Sequence, residues 1–202
     1  TIMQQIAESE LIINERGAIY HVDLRPEELA DTIIVVGDPD RVKKVSAHFY
    51  KIEFKAQHRE FITHTGFIGN KRLSVMSTGI GPDNVEIFFN ELDALVNIDL
   101  KTREPKARKR KLKIIRIGTS GALQEDIPVG THLLSDYAVG LDNLMNFYDL
   151  PMDDFETGLA HDIQKKTGLP FMPYVVRGSE TLRNQFENEM QVGNTVTCPG
   201  FY

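Results

Sequence analysis

The sequence is poor in the residues and signatures that would give several functions away at once. It holds a single cysteine, Cys198, which excludes an internal disulfide and a cysteine-based metal site. No apolar run approaches the ~18 residues of a membrane span. Residues Thr1–Glu15 show no basic stretch followed by an apolar one, so no secretory signal is expected and a reducing cytoplasm is the expected setting. There is no Gly-x4-Gly-Lys-Ser/Thr loop for nucleotide phosphates, no His-Glu-x-x-His for zinc and no Gly-x-Ser-x-Gly for a serine hydrolase. Gly79-Ile80-Gly81 lacks the third glycine of a dinucleotide fingerprint. With 15 glycines and 9 prolines in 202 residues, a collagenous or low-complexity chain is also excluded.

What remains is an ordinary globular composition, 41% hydrophobic and 26% charged, in a chain long enough to bury a core unaided. The formal net charge of −6 conceals one contrast. Lys101–Lys113 carries eight basic residues and one acid, while the rest of the chain holds 15 basic and 28 acidic residues. The protein is acidic with one basic segment, unlike a nucleic-acid binder that is basic throughout. Pro105, the lack of apolar periodicity and the lack of aromatic residues make the segment a solvated insertion without a stacking platform. Nucleic-acid binding through it is the weaker reading.

Apolar periodicity gives an alternation of strands and helices. Strands are expected at 32–36, 72–77, 112–117, 131–139, 173–177 and 194–198, with an extended stretch over 52–67. Helices are expected at 40–49, 84–96 and 153–166. Three of the strands end in glycine-bearing turns, and two of those turns lead into helices. That is the pattern of an α/β domain, in which ligands gather beyond the carboxyl ends of strands. Gly37–Arg41, Thr78–Gly81 and Arg116–Gly121 therefore fall on one rim.

On that rim, Gly37-Asp38-Pro39-Asp40-Arg41 sets backbone N–H groups and a helix start beside an arginine, a combination that favours anions; a tight turn with a solvated arginine is the plainer reading. Arg116 stands in an apolar strand, where a charge is costly unless paired. It either meets a buried carboxylate or, with Gly118-Thr119-Ser120-Gly121, forms an anion cradle. Arg59, in His58-Arg59-Glu60, either adds a further positive charge or lies on an exposed face. His21 is either a satisfied structural histidine or a ligand. Cys198 reads as small core packing.

Together His21, Gly37–Arg41 (GDPDR), His58–Phe61 (HREF), Ser77–Gly81 (STGIG) and Arg116–Gly121 (RIGTSG) resemble the nucleoside phosphorylase family of the uridine phosphorylase type, from about residue 18 to residue 202. The resemblance implies an α/β fold, a three-layer domain with a central mixed twisted sheet flanked by helices. It implies one domain over 1–202, lacking the final quarter to third in which the family carries its uracil clamp and its ribose-binding glutamate. The implied activity is the reversible phosphorolysis of uridine to uracil and ribose 1-phosphate, a pentosyl transfer in nucleoside salvage. A purine nucleoside phosphorylase or nucleosidase of the same fold, or a truncated non-catalytic homologue, are the alternatives.

By the same resemblance Gly37, Arg41, Arg116 and Thr119 bind phosphate. Arg59 is lent to the neighbouring subunit's phosphate, and His21 crosses the interface towards the ribose 5′-hydroxyl. Thr78, Ser120 and Gly121 line the ribose and base, and Phe201 packs on the base. Arg116, Arg41 and Arg59 are the expected catalytic residues. The expected co-substrate is inorganic phosphate, with no organic cofactor. Glu60 matches a carboxylate that holds a monovalent cation such as potassium between subunits in some members, although Asn84 stands where those members have the assisting serine. The partners implied are a nucleoside, phosphate and further copies of the chain, in a homodimer or homohexamer with shared active sites, with no nucleic acid and no membrane.

Overall fold

The computed structural model describes residues 5–200. The chain forms two compact units, Thr1–Gly118 and Thr119–Tyr202. The first contains β1 (Thr32–Val36), α1 (Pro39–Ser46), β2 (Lys51–His58), β3 (Phe61–Ile68), β4 (Lys71–Ser77), α2 (Pro82–Asn97), β5 (Ile98–Asp99), β6 (Glu104–Pro105) and β7 (Lys113–Ile117). Its main sheet runs β2-β3-β4-β1-β7. β2, β3 and β4 are antiparallel, whereas β4, β1 and β7 are parallel. The sheet is mixed, as the resemblance implies.

The β-branched run of β1 suits a central strand covered on both faces. Ile33 and Val35 join Phe61, Met76 and the α2 residues Phe88, Leu92 and Leu95 in one core cluster. Val36 joins Ile62, Val75 and the α1 residue Val42 in another. Helices thus flank the sheet on both sides. α1 starts where the sequence asks it to: the Asp38 carboxylate accepts the Asp40 N–H (2.9 Å), and Pro39 occupies the first turn.

Two expectations need correction in this unit. The stretch 52–67 is not one extended segment but the hairpin of β2 and β3, turning at Arg59-Glu60. That turn lacks the Gly, Asn or Pro that would have announced it. The basic segment is not simply solvated either. It closes the short β5–β6 ladder and clasps the end of α2. The Asn97 carbonyl accepts the Lys106 N–H (2.8 Å), and the Asn97 side chain accepts the Arg110 N–H (2.7 Å). The Lys106 ammonium reaches the Val96 carbonyl (3.2 Å), where cations complement the negative end of a helix.

The second unit contains β8 (Leu133–Gly140), α3 (Asp154–Thr167), β9 (Tyr174–Arg177), α4 (Glu180–Arg183) and β10 (Gln191–Thr197). Its sheet runs β10-β8-β9, with α3 packed through Ala160 on Val139 and Val175. α3 opens with a reciprocal cap between Asp153 and Glu156. Cys198 is exposed beyond the end of β10 and is not core packing. Among the described residues β10 is an edge strand with β8 as its only neighbour. No helix among the described residues is long and apolar enough to cross a membrane.

Candidate active site

Strand register builds the site. Val36 pairs with Ser77 on one side and with Ile117 on the other, so the three parallel strands end level. The residues that follow, Gly37, Thr78 and Gly118, therefore emerge side by side. The Thr78 N–H donates to the Val36 carbonyl (3.0 Å), carrying the ladder one residue beyond β4.

Arg116 rises from β7 into this rim. Its side chain is exposed, in no ion pair and in no hydrogen bond among the described residues. The reading of Arg116 as one half of a buried structural ion pair is thereby corrected: β7 loses its cover at the rim, and the guanidinium needs no carboxylate there. It folds back over its own chain instead. A Cβ on Gly118 would lie 2.1 Å from Arg116 Nη1, so only glycine leaves room for this path. The other end of the guanidinium comes beside Gly37, whose Cβ position lies 4.0 Å from Arg116 Nη2. Arg41, in the first turn of α1, points to the same place and donates to the Ile117 carbonyl (3.3 Å).

The β2–β3 turn supplies the next group. Arg59 is exposed, and its φ of +53° lies in the left-handed region that favours glycine. Glu60 beside it accepts the Asn84 amide N–H on Oε1 (2.7 Å). Its own backbone N–H and that amide hold its carboxyl below the ordinary range, against burial, with the charge of Arg59 adding to the effect. Gly79, at φ +71°, lets the two side chains meet: a Cβ there would lie 2.8 Å from both Glu60 Cγ and Asn84 Nδ2.

His21 is half-buried, with Nδ1 at 2.6 Å from Oε1 of Glu91 on α2. Tyr20 stacks edge-on against both His21 and His58, and the His58 Nδ1–H donates to the Tyr20 carbonyl (2.9 Å). His58 is therefore structural, tying the His21 loop to the hairpin.

Residues 31–202 match the family described as Phosphorylase superfamily. The chain belongs to that superfamily. It is 31% identical over 147 residues to the uridine phosphorylase of Thermococcus kodakarensis, covering 73% of this chain and 48% of that one. It is 28% identical over 183 residues to a DeoD-type purine nucleoside phosphorylase of Bacillus thuringiensis, covering 90% and 67%. Among solved structures it resembles the Trypanosoma brucei nucleoside phosphorylase described as showing uridine phosphorylase activity, with a TM-score of 0.87, 29% identity, and coverage of 95% of this chain and 70% of that chain. The chain spans about half the length of the uridine phosphorylases it matches.

Within this superfamily chain the first unit brings together Gly37, Arg41, Thr78 and Arg116, with Arg59, Glu60 and His21 on the adjoining turn and loop. Thr119, Ser120 and Gly121 open the second unit as exposed, irregular backbone. Phe201 lies outside the described residues. Sequence reasoning missed Glu91, and it read Gly118 as part of the anion cradle without the room that it gives Arg116. Glu91 had a signal: it is the acidic member of a helical stripe, Phe88-Glu91-Leu92-Leu95, that is otherwise apolar and buried. The room at Gly118 had none, because it concerns the path of a neighbouring side chain.

A concavity lined by Asp31 and Arg108–Lys111 lies at the opposite end of the sheet, before β1 and β7 begin. Ligands of open α/β sheets gather at the carboxyl ends of strands, and this basic concavity lies away from the candidate site.

Proposed function

We propose that the protein is a uridine phosphorylase, transferring ribose between uracil and inorganic phosphate. The observation that carries the phosphate reading is the convergence of Arg41 and Arg116 on the level ends of β1 and β7, neither in an ion pair among the described residues. Guanidinium groups unspent on carboxylates, beside glycine-exposed backbone N–H groups, suit a phosphate dianion. The choice of uridine is supported by the likeness to the Trypanosoma brucei enzyme.

In this reading Gly37, Arg41, Arg116 and Thr119 hold phosphate beneath the ribose. Arg59 reaches the phosphate of a neighbouring copy in a dimer or hexamer. Thr78, Ser120 and Gly121 line the ribose and base, and His21 crosses the interface towards the ribose 5′-hydroxyl of a neighbouring copy's substrate. Phosphate oxygen attacks C1′ as the C1′–N bond breaks, through a transition state of oxocarbenium character, and the bonding pair leaves with the base. The arginines place the nucleophile and offset its charge near the electron-poor sugar. No covalent enzyme intermediate is required. The donor set for a monovalent cation at Glu60 is incomplete in one chain. Its Oε1 faces the Asn84 N–H, which repels a cation.

A purine nucleoside phosphorylase is the second reading, favoured by the longer match to the DeoD-type relative. The deciding experiment measures base release from uridine and from inosine by the complete protein, with and without inorganic phosphate. Phosphate-dependent uracil release is the expected result. Preferential hypoxanthine release would move the protein to the purine enzymes. Release independent of phosphate would make it a nucleosidase.

A further inference from the structure

The His21–Glu91 contact is more than an ion pair. One carboxylate accepts three N–H groups: the Val22 backbone on Oε2 (2.9 Å), the His21 backbone on Oε2 (3.1 Å) and the His21 ring Nδ1 on Oε1 (2.6 Å). Imidazole is a stronger base than a carboxylate, so the proton between them rests on Nδ1. The ring plane is set as well, by edge contacts to Tyr20 (centroids 5.0 Å, 82°) and Phe61 (6.4 Å, 68°). Nε2 has no hydrogen-bond partner among the described residues, and the side chain is 26% exposed. In the neutral ring, Nε2 is then a bare acceptor.

We propose that Glu91 is a positioning residue that locks His21 in its Nδ1–H tautomer, so that Nε2 accepts a hydrogen bond from a substrate hydroxyl. A carbonyl or phosphate oxygen would find no donor on the neutral ring, whereas a sugar O–H finds an acceptor held in place. The identity of the substrate rests on the uridine phosphorylase reading; the tautomer lock does not. Glu91 acts through His21 and touches no reacting atom.

Glu91→Gln separates this role from a structural one. The amide has an oxygen at one end only. The Val22 and His21 backbone N–H groups claim that oxygen and keep the loop anchored. The NH2 group then faces Nδ1, which must give up its proton, and the ring switches to the Nε2–H tautomer. Two-bond 1H–15N spectra of the labelled complete protein at neutral pH read this directly. The expected wild-type pattern is a protonated Nδ1 and a bare Nε2, exchanged in Glu91→Gln. A wild-type Nε2–H tautomer, or an unchanged tautomer in the variant, overturns the lock whether or not uridine is a substrate.

Kinetics then test the hydroxyl. Glu91→Gln should raise KM for uridine about tenfold, the worth of one hydrogen bond, with kcat nearly unchanged. The penalty should vanish for 5′-deoxyuridine and persist for 2′-deoxyuridine. An equal penalty on all three nucleosides would mean that Glu91 only holds the loop, and would overturn the hydroxyl role. If no nucleoside is cleaved, the uridine phosphorylase reading fails, and the spectra still decide the lock.

Discussion

The two ends of the parallel strands use positive charge in opposite ways. At the amino ends, the basic segment is conspicuous in the sequence, yet much of its charge is committed to the protein itself. Arg110 pairs with Asp31, Arg103 donates to the Leu11 carbonyl (2.6 Å), and Lys106 and Lys109 reach carbonyls at the end of α2 (3.2 and 3.4 Å). At the carboxyl ends there are fewer cations, scattered through the sequence, and none of Arg41, Arg59 and Arg116 is in an ion pair among the described residues. In the proposed reading, anion binding follows unspent donors on a built rim rather than charge density along the chain. A guanidinium already satisfied by carbonyls and carboxylates has little left for a ligand, while one held without a carboxylate can bind an anion strongly.

The contrast breaks most visibly at Arg116. Arg116→Ala should lower phosphate-dependent kcat/KM by about 100-fold or more, with the fold retained, because it removes a charge that acts on the attacking phosphate. Near-wild-type turnover would dismantle the rim assignment. Arg59→Gly should cause a comparable loss while raising stability by up to about 1 kcal/mol, since glycine relieves the φ of +53°. Chemical denaturation and steady-state kinetics on the same preparation check both halves. Mixing this variant with Arg116→Ala should restore part of the activity if Arg59 serves a neighbouring copy. Gly118→Ala should cost about tenfold in activity, because its methyl group would displace the Arg116 guanidinium from 2.1 Å away. A rise in KM for phosphate is the expected signature.

At the other end the effects move from kinetics to stability. Asn97→Ala removes the acceptor of the Arg110 N–H and should destabilise the fold by about 1–3 kcal/mol, measured by urea unfolding, with KM for phosphate unchanged. The smallest effect is expected for Arg108→Ala combined with Lys111→Ala, exposed side chains whose removal should shift stability by no more than ~0.5 kcal/mol. A large fall in activity from that pair would mean that the basic segment is functional after all, and would invert the comparison.

Much of the fold was legible because its signals are local. The β-branched run of β1, the Asp38-Pro39 start of α1 and the apolar face of α2 each state their own conformation. The Arg59-Glu60 turn was not legible, because its backbone adopts a glycine-like φ with an arginine. Nor was the clasp on α2, which depends on carbonyls of Val96 and Asn97 that only become available where the helix stops. Cys198 misled for a related reason: it lies one residue past the end of β10, where strand patterning no longer governs burial, and it is exposed.

The sequence by itself determined the alternation of strands and helices, the glycine turns and the presence of arginines beside them, since periodicity and turn chemistry operate over a few residues. Tertiary structure alone decided that Val36, Ser77 and Ile117 end level, that Gly118 makes room for Arg116, and that Glu91 meets His21 across 70 residues of chain. Those facts depend on strand register and on the packing of α2 beneath the His21 loop. Register and packing are settled by contacts between segments distant in sequence, and no local pattern encodes them.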